Sequence, residues 1–154
     1  MVAALGKQKG EKLFKDFAKI FMNSLNQADA DYTRIGIVFD RYTEESVKAG
    51  TRIRRRRGTL IHRIIESEDV PFPKDWQGFL SLPENKADFT RYLSEKVSQS
   101  ETIKETLVIG GGFLEESKVF SNGIMQLEGH HEEADTKIIL HCANAKINTI
   151  FVSS

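Results

Sequence analysis

Arg34-Ile35-Gly36-Ile37-Val38-Phe39-Asp40 decides how the chain is read. Its apolar and β-branched residues run without alternation, the pattern of a strand buried on both faces. Such strands belong to parallel sheets covered by helices. The stretch then ends in a carboxylate. In open parallel sheets, ligands bind outside the carboxyl ends of the strands. Asp40 therefore stands where a functional acid is expected.

Upstream, positions 11–28 are predicted to form an amphipathic helix. Leu13, Phe14, Phe17, Phe21 and Leu25 recur mostly at spacings of three and four, which places them on one face. A polar turn over Gln27–Asp31 follows. Downstream, residues 43–57 are densely charged, with helical propensity weakened by Gly50. Thr59–Ile65 is predicted to be a short amphipathic helix. Val70-Pro71-Phe72-Pro73 breaks regular structure, because neither proline donates a backbone hydrogen bond. Trp76, Phe79 and Leu80 are expected to pack against the body of the domain.

A helix is predicted over 84–98, with Phe89, Leu93 and Val97 on one face. Thr106–Ile109 is a second strand, running into Gly110-Gly111-Gly112. Residues 118–128 are predicted to form a β-hairpin turning at Asn122-Gly123. A helix from about 132 to 145 then leads to a third strand, Thr149–Val152. Strands alternating with helices predict a three-layer α/β domain, with a mostly parallel sheet and helices on both faces. No linker or repeat interrupts residues 1–154, so one domain is expected. No strand precedes the first helix, and the sequence stops where the last strand should deliver its loop. These two features predict a domain truncated at both ends.

Composition narrows the class. A chain of 154 residues buries roughly 70% of its unfolded surface, enough to fold without a disulfide or metal. Lys+Arg and Asp+Glu number 22 each, which excludes a protein that binds nucleic acid by bulk charge alone but allows a local patch. No apolar run approaches the ~20 residues of a membrane span, and the first residues lack the apolar stretch of a secretory signal. Cys142 is the only cysteine, excluding an internal disulfide framework and a multi-cysteine zinc site. An intracellular protein of the nucleus or cytoplasm, with no membrane partner, is expected.

Two constellations could carry chemistry. One is acidic: Asp40 after the first strand, and His130-His131-Glu132-Glu133-Ala134-Asp135 opening the last helix. Mg²⁺ and similar hard cations take carboxylate oxygens, and a pair of such ions can activate water for phosphodiester hydrolysis. Acids in the first turn of a helix also stabilise it by capping and through the macrodipole. Taken alone, Glu132, Glu133 and Asp135 read as helix-start residues. Residues three apart share a helix face, so Glu132 fits with Asp135; Glu133 converges with Asp135 only from the non-helical cap. The other constellation is basic: Lys48, Arg52, Arg54, Arg55, Arg56 and Arg57. Guanidinium groups grip phosphate bidentately, and a nucleic-acid backbone rewards them through counterion release. A solvated charged loop fits the same residues equally well.

Other features read more simply. Gly110–Gly112 lacks the spacing of a P-loop or a dinucleotide fingerprint and reads as a turn. His130 and His131 have no third well-spaced histidine or cysteine beside them. Cys142 lies among Ile138, Ile139 and Ala145 and reads as core.

Val38-Phe39-Asp40, Ser46-Val47-Lys48-Ala49-Gly50 and the arginine run together resemble the flap-endonuclease and PIN-like nuclease pattern. There a strand ends in V-F-D, a lysine and a glycine follow, and an arginine-rich helical arch comes next. Glu133-Ala134-Asp135 resembles the E-A-E motif opening a later helix of that family. The same stretches resemble more closely a group of long, multi-copy animal proteins. Those carry VFD followed by Tyr, then SxKxGxRxRR, and HEEADT before a helix. That likeness covers nearly the whole chain, through Arg41-Tyr42, Arg52–Gly58, Gly110–Phe113 and His131–Thr136.

The resemblance implies metal-dependent phosphodiester hydrolysis of nucleic acid, with Mg²⁺ or Mn²⁺ as cofactor. Asp40, Glu133 and Asp135, with Glu132 as a further candidate, would be metal carboxylates. Lys48 and Arg55 would approach the scissile phosphate, and Arg52, Arg54, Arg56 and Arg57 would guide the strand. The sequence departs from the family in three places. Arg41 replaces the glycine after V-F-D, the aspartate of an opening strand is absent, and so is the late D-x-D pair. Each missing anionic ligand weakens a Mg²⁺ site, so weak or no activity is expected of this chain. A non-catalytic module that binds nucleic acid or protein through Arg52–Arg57 is the alternative expectation, and a degenerate gene fragment the third.

Overall fold

The computed structural model describes residues 12–29, 34–40, 61–101, 106–114, 119–121 and 149–153. They form a mixed α/β fold. In chain order the elements are α1 (Phe14–Asp29), β1 (Arg34–Val38), α2 (Trp76–Phe79), α3 (Pro83–Ser98), β2 (Thr106–Gly110), β3 (Val119–Ser121) and β4 (Thr149–Ser153).

The sheet order is β3-β2-β1-β4. β1 pairs in parallel with β2, Ile35 opposite Leu107 and Ile37 opposite Ile109. It pairs in parallel with β4 on its other side, Val38 opposite Ser153. β3 pairs antiparallel with β2, Ile109 opposite Phe120. Of the predicted hairpin over 118–128 the structure describes one strand, Val119–Ser121, which pairs with β2. Its proposed tip at Asn122-Gly123 lies outside the described residues, as does the predicted helix at 132–145.

Why these strands form follows from their side chains. Ile35, Ile37, Phe39, Leu107 and Ile109 share one face and join one hydrophobic core with α1 and α3. Val38 and Val108 point the other way and are buried as well. A strand screened on both faces needs apolar residues at consecutive positions, as the sequence has.

α1 carries the phenylalanine face expected of it: Phe14, Phe17, Phe21 and Leu25 are all fully buried. Its first backbone N–H groups lack intrahelical partners. Phe14 N donates to Val70 O at 3.0 Å and Lys15 N to Glu68 O at 3.1 Å. Asp16 completes the end by accepting from Lys12 N and Leu13 N, each at 3.0 Å. The Val70–Pro73 breaker thus runs beside the start of α1, with Phe72 N donating to Lys12 O at 2.7 Å. Phe72 enters the core, its ring 5.7 Å from Phe17 and 4.8 Å from Trp76. Burying a large apolar side chain contributes about 1.5–3 kcal/mol, so this aromatic cluster dominates the core.

α2 was not expected as a helix. Asp75 caps it, its carboxylate accepting from Gly78 N at 2.8 Å, as N-cap aspartates do. α3 begins at Pro83, a residue suited to the first helical turn. Residues 61–65 correct the predicted helix at 59–65: they form no helix. Asn85 of α3 takes their backbone groups instead. Its Oδ1 accepts from Arg63 N at 2.7 Å, and its Nδ2 donates to Ile61 O at 3.2 Å and Phe79 O at 3.0 Å. Three isoleucines in five residues already disfavour helix, and the buried amide supplies what the helical ladder would have supplied.

Candidate functional site

Asp40 follows directly from the parallel pairing. Val38, Gly110 and Ser153 stand at the same level at the carboxyl ends of β1, β2 and β4. Phe39 N then donates to Gly110 O at 2.9 Å, extending the β1–β2 ladder by one step. Asp40 leaves the sheet immediately after it, half-buried. β1 leads towards β2 on one side, while β4 lies on the other. Asp40 therefore emerges where the strand order reverses, the position at which open α/β sheets hold their ligands.

Gly110–Gly112 stand beside the end of β1, and α3 packs against them. Gly111 and Gly112 have φ of 83° and 71°, a region that favours glycine. The turn lets backbone approach α3 closely. A Cβ at Gly112 would collide with Ser94 Oγ and crowd Thr90 O and the Phe39 ring. Ser94, fully buried, donates to Gly111 O at 3.4 Å. Of the three glycines read in the sequence as a turn, Gly110 ends β2, and Gly111 and Gly112 make the bend after it, fastened to α3.

Of the candidate site residues, the structure describes Asp40. Lys48, Arg52, Arg54, Arg55, Arg56, Arg57, Glu132, Glu133 and Asp135 lie outside the described residues. Among the described residues, no three His, Cys, Asp or Glu side chains cluster as metal ligands would. Nor is any helix among them long and apolar enough to cross a membrane.

Sequence reasoning passed over a polar group in the first half of α3. Asn85 is fully buried and clasps the 61–63 backbone. One turn on, Asp88 lies with Oδ2 2.9 Å from His62 Nε2 and accepts from Arg91 at 2.7 Å through Oδ1. An asparagine and an aspartate in the first half of a helix read as ordinary solvent-facing residues. Nothing in their spacing marks a clasp, because the partner backbone is more than twenty residues away. No protein-family profile, curated protein or solved structure matches the chain.

Proposed function

We propose that the chain is a three-layer, PIN-like α/β domain whose chemistry is Mg²⁺- or Mn²⁺-dependent hydrolysis of nucleic-acid phosphodiesters in the nucleus or cytoplasm. The place of Asp40 carries the reading. A carboxylate stands at the carboxyl end of the central strand, at the reversal of strand order, beside a turn stripped of side chains. Its oxygens are the donor type hard divalent ions take. In this reading Glu133 and Asp135, with Glu132 beside them, complete the ligand set. Lys48 and Arg55 contact the scissile phosphate, and Arg52, Arg54, Arg56 and Arg57 hold the backbone on either side. The bound ion supplies charge for a developing oxyanion and a more acidic water. The protein's part is to hold carboxylates together and to fix the phosphate.

The test is metal binding first and cleavage second. A ligand that binds only the folded state raises its stability. MnCl₂ should raise the melting temperature of the wild-type chain, and Asp40→Asn should remove that shift. A labelled oligonucleotide should be cut in Mn²⁺, slowly, and not by Asp40→Asn. A melting temperature indifferent to Mn²⁺, with no cleavage, would overturn the reading. Salt-sensitive oligonucleotide binding without any metal effect would point to the non-catalytic module instead.

A further inference from the structure

Residues 61–66 run without helix, turn or bend, and the single amide of Asn85 reaches both Ile61 O and Arg63 N. Those two groups point to the same side when the residue between them is extended. The side chains alternate accordingly: Ile65 enters the core, while Ile64 beside it is exposed. Asn85 therefore occupies one edge of a short extended segment. The backbone N–H and C=O groups of His62 and Ile64 point to the other edge. Among the described residues none of these groups has a hydrogen-bond partner. A row of such groups is a template for pairing with another strand. Of the three exposed large apolar side chains among the described residues, Ile61 and Ile64 both lie on this segment.

We propose that this edge pairs antiparallel with the same edge of a second copy of the chain, with Ile64 opposite Ile64 across a twofold axis. The sequence is self-complementary in that register. His62 stands opposite Glu66 of the second copy, and Glu66 opposite its His62. Glu66 is exposed and makes no ion pair among the described residues. His62 meets Asp88 through Nε2, yet its side chain stays 46% exposed. His62 and Arg63 precede the axis and Glu66 follows it, so the basic half of one segment lies along the acidic half of the other. A parallel pairing would set like charges side by side, and a register centred on Arg63 would set them at the axis itself, both unfavourable. Residues 62, 64 and 66 share one face, so the two Ile64 side chains meet between the His–Glu pairs. The opposed pairs exchange up to about six backbone hydrogen bonds. A contact this short buries less than the ~1,200 Å² of a stable interface, so the dimer is weak, with a dissociation constant on the order of 0.1 mM. Neither metal nor nucleic acid enters the pairing.

Sedimentation equilibrium of the full chain from about 10 µM to about 1 mM tests it. The weight-average mass should climb from that of one chain towards that of two. Ile64→Lys sets two cations at the axis and should weaken association about tenfold or more, with a wild-type urea midpoint at low concentration. Glu66→Lys should weaken it about threefold. Oxidation in a Cys142→Ala background reads the register. Paired Ile64 positions come within disulfide reach, whereas Ile61 stands about 20 Å from its counterpart. Ile64→Cys should therefore link two chains faster than Ile61→Cys or Leu114→Cys, although both of those side chains are more exposed. Should the Cys142→Ala background fail to fold, the two lysine variants decide by themselves. A chain that stays monomeric at about 1 mM overturns the proposal and leaves the edge to a partner of another kind. A dimer indifferent to Ile64→Lys, or one that links faster through Ile61 or Leu114, also overturns it, since the copies would then meet elsewhere.

Discussion

Phe39 and Gly110 are joined by a backbone hydrogen bond of 2.9 Å, one residue past the end of β1. That bond fixes the direction in which Asp40 leaves the sheet. It also ties the position of Asp40 to the glycine turn, because Gly112 lies close enough to the Phe39 ring that a Cβ there would crowd it. The local geometry of the candidate site is thus set by β2 and α3 as much as by β1.

Gly112→Ala tests that dependence. The new methyl group would meet Ser94 Oγ and Thr90 O, at a φ of 71° that an alanine rarely adopts. A loss of about 2 kcal/mol is expected in urea unfolding. Adding Ser94→Ala should recover part of it, because the carbonyl of Thr90 and the φ remain. A Gly112→Ala protein as stable as wild type would show that the turn is free to move.

How far the sequence reading reached depends on where the information lay. β1, β2 and β4 were legible because their apolar runs are short, β-branched and bounded by polar residues. α1 and α3 were legible because Phe14, Phe17 and Phe21, and Phe89, Leu93 and Val97, repeat at the helical period. Thr59–Ile65 carries apolar spacing too, but tertiary context overrode it, since Asn85 competes for the same backbone groups. The antiparallel pairing of Val119–Ser121 with β2 was hidden because nothing local in either strand marks the other as its partner. Of the candidate site, Asp40 was legible because a strand end is a local feature. Contacts between residues far apart in sequence are not local, and the Asn85 clasp is one of them.

Ile64 and Ile65 give a direct check on the corrected segment. Ile64 is 52% exposed, while Ile65 is 7% exposed and part of the core. Ile64→Ser should change stability by no more than about 0.5 kcal/mol. Ile65→Ala should cost about 2–4 kcal/mol. Urea denaturation separates the two. Equal losses would mean that both side chains are buried, as a different local conformation would require.

Acid stability should depend on Asp16, which accepts from the backbone before α1, and on Glu68, which is paired with Lys96 of α3. The backbone N–H groups of Lys12 and Leu13 hold the Asp16 carboxyl below its ordinary value of 3.8. Lys96, 2.7 Å from Glu68, lowers that carboxyl from 4.5. A carboxyl that is more acidic when folded stabilises the fold above its unfolded value, and the contribution is lost as pH falls through the folded value. The urea midpoint should therefore decline below about pH 4.5. Asp16→Ala and Glu68→Gln should each lower the midpoint at neutral pH and flatten the decline. A decline as steep in the double variant as in wild type would assign acid unfolding to other groups.

At the alkaline end the informative group is Tyr92. Its ring lies against Phe14 in the core, 6.2 Å between centroids. Its hydroxyl is buried and finds no hydrogen-bond partner among the described residues. Burial, reinforced by the negative charges of Glu68, Asp16 and Asp69, pushes its pKa up to about 12. The neutral phenol is therefore favoured in the folded chain, and the unfolded chain gives up its proton near the ordinary 10.0. Between those values the folded state holds more protons, so stability falls as pH rises. Near-ultraviolet absorbance should show Tyr92 as the last of the three tyrosines to ionise. Tyr92→Phe should remove that final step and soften the alkaline loss of stability. A final step that persists in Tyr92→Phe would place the high-pKa phenol on Tyr32 or Tyr42.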